Sequence, residues 1–79
     1  MVTMKLQQYN RDDQIAYYDC FPEGNTDGRF IIGIDLSKEE VIHSSLNADN
    51  AYSAHAMWRI INIYREKHSV PDKATAMWV

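Results

Sequence analysis

Residues 47–69, NADNAYSAHAMWRIINIYREKHS, decide how this chain folds. No other run is both long enough and periodic enough to predict a helix. At ~100° per residue, Ala54, Met57, Ile60, Ile61 and Tyr64 share one face, with Trp58 on its shoulder. His55, Arg59, Asn62 and Glu66 fall on the opposite, solvent-facing side. Asn47 or Asp49 offers a side-chain oxygen to cap the first turn, and Lys67 and His68 set positive charge against the dipole's negative end. Pro71 blocks continuation. An amphipathic helix must lay its stripe on something, and the alternating segments before it are the natural floor.

Those segments read as strands. Lys5 to Tyr9 is a weak one, closed by the turn-rich Asn10-Arg11-Asp12-Asp13. Gln14 to Phe21 is rich in β-branched and aromatic residues and is stopped by Pro22, which lacks a ladder N–H. A loop dense in turn formers, Glu23 to Gly28, leads to the strongest strand, Arg29 to Leu36. Residues 37–45 admit a short helix, through the Ser37/Glu40 capping pattern, or a turn at 37–39 and a strand through Val41-Ile42-His43. The strand is preferred, because the Val-Ile pair follows at once and helical apolar spacing is missing. Ala74 to Val79 completes the set as a short strand carrying an exposed Trp78. The fold class is therefore α+β: a three- or four-stranded antiparallel meander on one long helix, then a C-terminal strand, all in a single domain, residues 1–79.

If the second and third strands form a hairpin, Ala16, Tyr18 and Cys20 join Phe30, Ile32, Ile34 and Leu36 beneath the helix. The other face then carries Ile15, Tyr17, Phe21 and Ile31, with Arg29, Asp19, Asp35 and Gly33 among them. That is very apolar for a solvated surface, so Ile15, Tyr17, Asp19, Phe21, Ile31 and Asp35 are the candidate partner-binding residues.

Composition narrows the function. A chain of 79 residues, 46% hydrophobic, is ordered, yet it buries only ~60% of its unfolded surface, so association is a usual remedy and a homodimer is expected. No apolar run nears the ~18 residues of a membrane span, and no secretory leader is visible, which points to the cytoplasm. The single Cys20 agrees with that address. Up to Glu40 eight acids stand against four bases, and beyond it three acids face four bases. An acidic first half disfavours nucleic acid and suits a basic protein. Arg59, Arg65 and Lys67 are too few, and too poor in interleaved aromatics, for an RNA-binding surface.

Residue chemistry offers no reaction. Glu23, Asn25, Asp27 and Gly28 imitate the start of a calcium loop, but the twelfth position is Ile34 and strands flank it, so a plain turn is favoured. Cys20 reads as a small buried hydrophobe, and His43, His55 and His68 lack ligand spacing. Asp19 and Asp35 are out of register for acid–base work. The expectation is a non-enzymatic protein without metal or cofactor.

From Tyr17 to Pro71 the chain resembles the partner-binding domain of HicB-type antitoxins. The resemblance lies in the acidic turn Glu23 to Gly28, in Gly28-Arg29-Phe30-Ile31-Ile32, in Asp35-Leu36, in the Ala-rich helix and in Ser69-Val70-Pro71 before a last strand. Ile34 stands where that family carries Pro, and Leu46-Asn47-Ala48 where it carries Gly-Asp. The resemblance implies a β-β-β-α-β domain that occludes a small basic RNA-cleaving toxin of the HicA type, here without the DNA-binding domain many members add. The rival from another class is a small homo-oligomer with a ligand or catalytic pocket at its interface, near Tyr17, Cys20 and Trp58.

Overall fold

The computed structural model describes residues 2–23, 28–45 and 50–78. Four strands, β1 (Val2–Arg11), β2 (Ile15–Pro22), β3 (Phe30–Asp35) and β4 (Glu40–Ser44), are followed by the helix α1 (Asn50–Lys67) and by β5 (Lys73–Trp78). The first four form an antiparallel meander, and β5 returns beside β1, giving one sheet in the order β4-β3-β2-β1-β5. The helix therefore carries the chain from one edge of the sheet to the other, covering a single face.

Residues 37–45 resolve as a turn and a strand, with Glu39 in the left-handed region at φ 56°. The Asp35 carboxylate holds that turn, accepting from the Ser37 N–H at 3.0 Å, the Ser37 hydroxyl at 2.8 Å and the Lys38 N–H at 3.0 Å. These bonds keep the carboxyl below its usual range, the Ser37 hydroxyl being the largest cause. Arg65 of α1 clasps Glu39 in the same turn, Nε to Oε2 at 2.7 Å, and so ties helix to hairpin.

The core contains the residues that alternation assigned to it: Ala16, Tyr18, Cys20, Phe30, Ile32, Ile34 and Leu36, together with Met4, Leu6 and Ala76. From above, α1 contributes Ala56, Met57, Ile60 and Ile61, with Tyr64 packed at the margin. Three expectations need correction. Ala54 is exposed and Ser53 is buried in its stead, because the helix rolls its stripe toward Ser53 and Ala56. Trp78 is half-buried, its indole stacked on His55 at 4.0 Å and edge-on to Tyr52 at 5.2 Å, while Met77 is the exposed neighbour. The first strand is ten residues long and interior to the sheet, where the sequence suggested a short weak one. The proposed caps Asn47 and Asp49, and residues 24–27 of the calcium-like loop, lie outside the described residues.

Candidate functional site

With the helix on one face, the opposite face of the sheet has no covering element among the described residues. Its centre is built by β2, whose odd residues all point outward. Ile15, Tyr17, Asp19 and Phe21 are each partly buried, against fully buried Ala16, Tyr18 and Cys20 between them. Strand pairing sets Ile15 opposite Asp35, Tyr17 opposite Gly33 and Asp19 opposite Ile31. The structure thus gathers Ile15, Tyr17, Asp19, Phe21 and Ile31 on one surface. Asp35 sits at the margin of the same row, but its carboxylate is turned into the 36–39 turn.

Gly33 shapes this surface. The Tyr17 ring lies across it, so that a Cβ there would sit 2.8 Å from Tyr17 Cε1 and 3.3 Å from His43 Cβ. A side chain at position 33 would push the ring away. Tyr9, at a bulge in β1, leans on the other side of Tyr17 with ring centroids 5.8 Å apart. Tyr9, Tyr17, Gly33 and His43 make a continuous band across four strands, and Ile42, the extra residue of a bulge in β4, is exposed. Asp19 is neutralised by Arg29, which donates from Nη2 at 2.8 Å and Nε at 3.0 Å.

Two shallow hollows lie along β1. One, of about 600 Å³, is bounded by Asn10, Arg11, Asp12, Asp13 and Tyr17. The other, of about 430 Å³, lies between Lys5, Gln7, Phe21, Lys73 and Thr75. Sequence reasoning missed Lys5 and Lys73, because only the non-local pairing of β1 with β5, Lys5 opposite Thr75 and Gln7 opposite Lys73, sets them diagonally across one hollow.

The residues of the rival pocket are not brought together within one chain. Tyr17 is on the open face, Cys20 is wholly buried under the helix, and Trp58 is on the solvent side of α1. Burial pushes the Cys20 thiol up to about 12, far from a reactive thiolate. Burial likewise raises Tyr18 to about 12, and its hydroxyl donates to the Pro71 carbonyl at 2.5 Å. Among the described residues no cluster of three acidic, His or Cys side chains is placed to hold a metal, and no helix is long and apolar enough to cross a membrane. Comparison with protein-family models, curated proteins and solved structures returned no match.

Proposed function

We infer that this chain is a non-enzymatic protein-binding module that docks through the open face of its sheet. One observation carries the reading: a folded chain of this size leaves an aromatic and aliphatic band, centred on Tyr17, uncovered on a rigid antiparallel sheet. A central apolar anchor with polar groups around it is the usual anatomy of a protein interface. The inert, buried Cys20 and the Asp35 carboxylate committed to its turn favour binding over catalysis. The more specific form is an antitoxin-type, HicB-like domain acting in the cytoplasm on a small basic protein, supported by the sequence resemblance and by the acidic turn beside Tyr17.

The test is a pull-down from the source cell followed by binding kinetics with any small basic protein retained, and retention of none would overturn the reading. Tyr17→Ala should cost about 2 kcal/mol, roughly a 30-fold loss expressed as faster dissociation, with the fold intact by circular dichroism. A Tyr17→Ala chain that binds as the parent does would remove the docking face from consideration.

A further inference from the structure

We propose that Arg59 is an edge guard: reaching from α1, it closes the outer strand β5 against backbone pairing with the β5 of a second copy. The guard lies on the rim of the sheet, apart from the docking face.

Strand polarity is the first reason. The Gln8 N–H donates to the Asp72 carbonyl at 2.7 Å, which sets the alternation of the β1–β5 ladder. In an antiparallel pair every second residue exchanges both bonds with its opposite number, and the residues between turn theirs outward. With Leu6 opposite Ala74 and Met4 opposite Ala76 as the bonded pairs, the outward groups on β5 are those of Lys73, Thr75 and Met77. β5 ends the sheet on that side. One outward group is nevertheless occupied, because the Thr75 carbonyl accepts from Arg59 Nε at 3.1 Å. That nitrogen stands where the N–H of a further strand would stand.

The strand's fitness to pair with itself is the second reason. Lys73, Thr75 and Met77 are exposed, while Ala74, Ala76 and Trp78 turn to the helix side. Thr75 is the midpoint of the outward row. A second β5, laid antiparallel about a two-fold axis through that point, sets Thr75 against Thr75, Lys73 against Met77 and Ala74 against Ala76. No like charges are opposed, and the contact is self-complementary, as an isologous one must be. The other edge needs no such guard. β4 has five residues, and its register with β3 shifts between Gly33 and Ile34, a bulge that spoils further pairing. β5 has six residues in unbroken register with β1.

Charge is the third reason. The two-fold axis that pairs Thr75 with Thr75 also brings both Arg59 guanidiniums to one junction. Each would have to leave its carbonyl and crowd a like charge, so the guard acts twice in one contact.

Sedimentation equilibrium of the full chain, from about 1 to 200 µM, tests the proposal by difference. Arg59→Ala, folded by circular dichroism, should self-associate about 30-fold more tightly than the parent, and Arg59→Gln should act in the same direction. The comparison is made with the parent at equal concentration, so any association of the parent through its open face leaves the difference intact. Thr75→Pro in the Arg59→Ala chain should cancel the gain, because the N–H it removes points away from β1 and the fold does not need it. Amide exchange locates the contact: the Lys73, Thr75 and Met77 amides should slow about 10-fold or more at 200 µM in Arg59→Ala and not in the parent. An Arg59→Ala chain with the parent's mass at every concentration would overturn the proposal. So would a gain that survives Thr75→Pro, or a parent that already protects the three amides at 200 µM.

Discussion

At Gly33 the sequence shows a glycine in a strand, and the structure shows why a side chain is unwelcome there. Its Cβ would press on the Tyr17 ring, at 2.8 Å from Cε1 and 3.1 Å from Cδ1. Replacement by Ala gains roughly 0.5–1 kcal/mol of backbone entropy, and the ring, which packs against Tyr9, must swing aside for a similar cost. Gly33→Ala should therefore change stability by less than about 1 kcal/mol in urea unfolding, while association weakens about as much as in Tyr17→Ala. Equal binding by Gly33→Ala and parent would show that the ring's position is irrelevant. Asp35 makes a different statement. Its carboxyl is held below the usual range by Ser37 and Lys38, so the unfolded chain binds its proton at higher pH than the folded one. The stability it confers is present above the ordinary carboxylate range and is lost as pH falls through the depressed value. Asp35→Asn should flatten that acid limb of the melting curve below about pH 4 and leave the neutral-to-alkaline slope unchanged. A parent-like acid limb in the variant would mean that the turn bonds do not discriminate between the protonation states.

Among the elements, those with strong local patterns were legible and those made by distant pairing were not. Alternation assigned every core residue of β2 and β3, because one face is buried and a one-residue slip would expose the whole set. The β1 strand reads poorly since only Met4 and Leu6 turn inward, while Lys5, Gln7 and Tyr9 serve the open face. Its place between β2 and β5 is settled by pairing across the full chain length. The helix period was clear, but its roll was not: Ser53 and Ala54 lie on either side of the stripe, and hydropathy favours the wrong one. Arg59 adds what no pattern shows, donating from Nε to the Thr75 carbonyl at 3.1 Å and blocking part of the β5 edge. At the end of α1, His68 adopts φ 58° while its N–H closes the last turn on the Tyr64 carbonyl at 2.8 Å. That position suits glycine, since an L side chain costs ~1–2 kcal/mol there and glycine returns part of the gain to the unfolded chain. His68→Gly should stabilise the protein by roughly 0.5–1 kcal/mol in urea unfolding, and a destabilised variant would show that the imidazole contributes more than its strain.

For the whole molecule the decisive quantity is how little a 79-residue chain can bury by itself. Among the described residues the helix covers one face of the sheet, and alternation places Ile15, Tyr17, Asp19, Phe21 and Ile31 on the other, whereas Asp35 is buried and its carboxylate is turned into the 36–39 turn. Their electrostatics were not legible, because Lys73 joins Lys5 on that face only through the pairing of β5 with β1. If two copies close over it, folding and association are linked by mass action, and the melting temperature must depend on concentration. Raising the chain from 5 to 500 µM adds RT ln 100 per dimer, about 1.4 kcal/mol per chain, if the dimer is the folded species throughout. For a domain of this length 1 kcal/mol corresponds to ~4–8 °C, so the parent should melt about 5–10 °C higher at the upper concentration. Ile31→Glu should melt at one temperature across the same range, near or below the parent's dilute value, because it folds without the partner's cover. Calorimetry at both concentrations decides between them: a parent curve that does not move would mean that the open face contributes nothing to stability through a second copy.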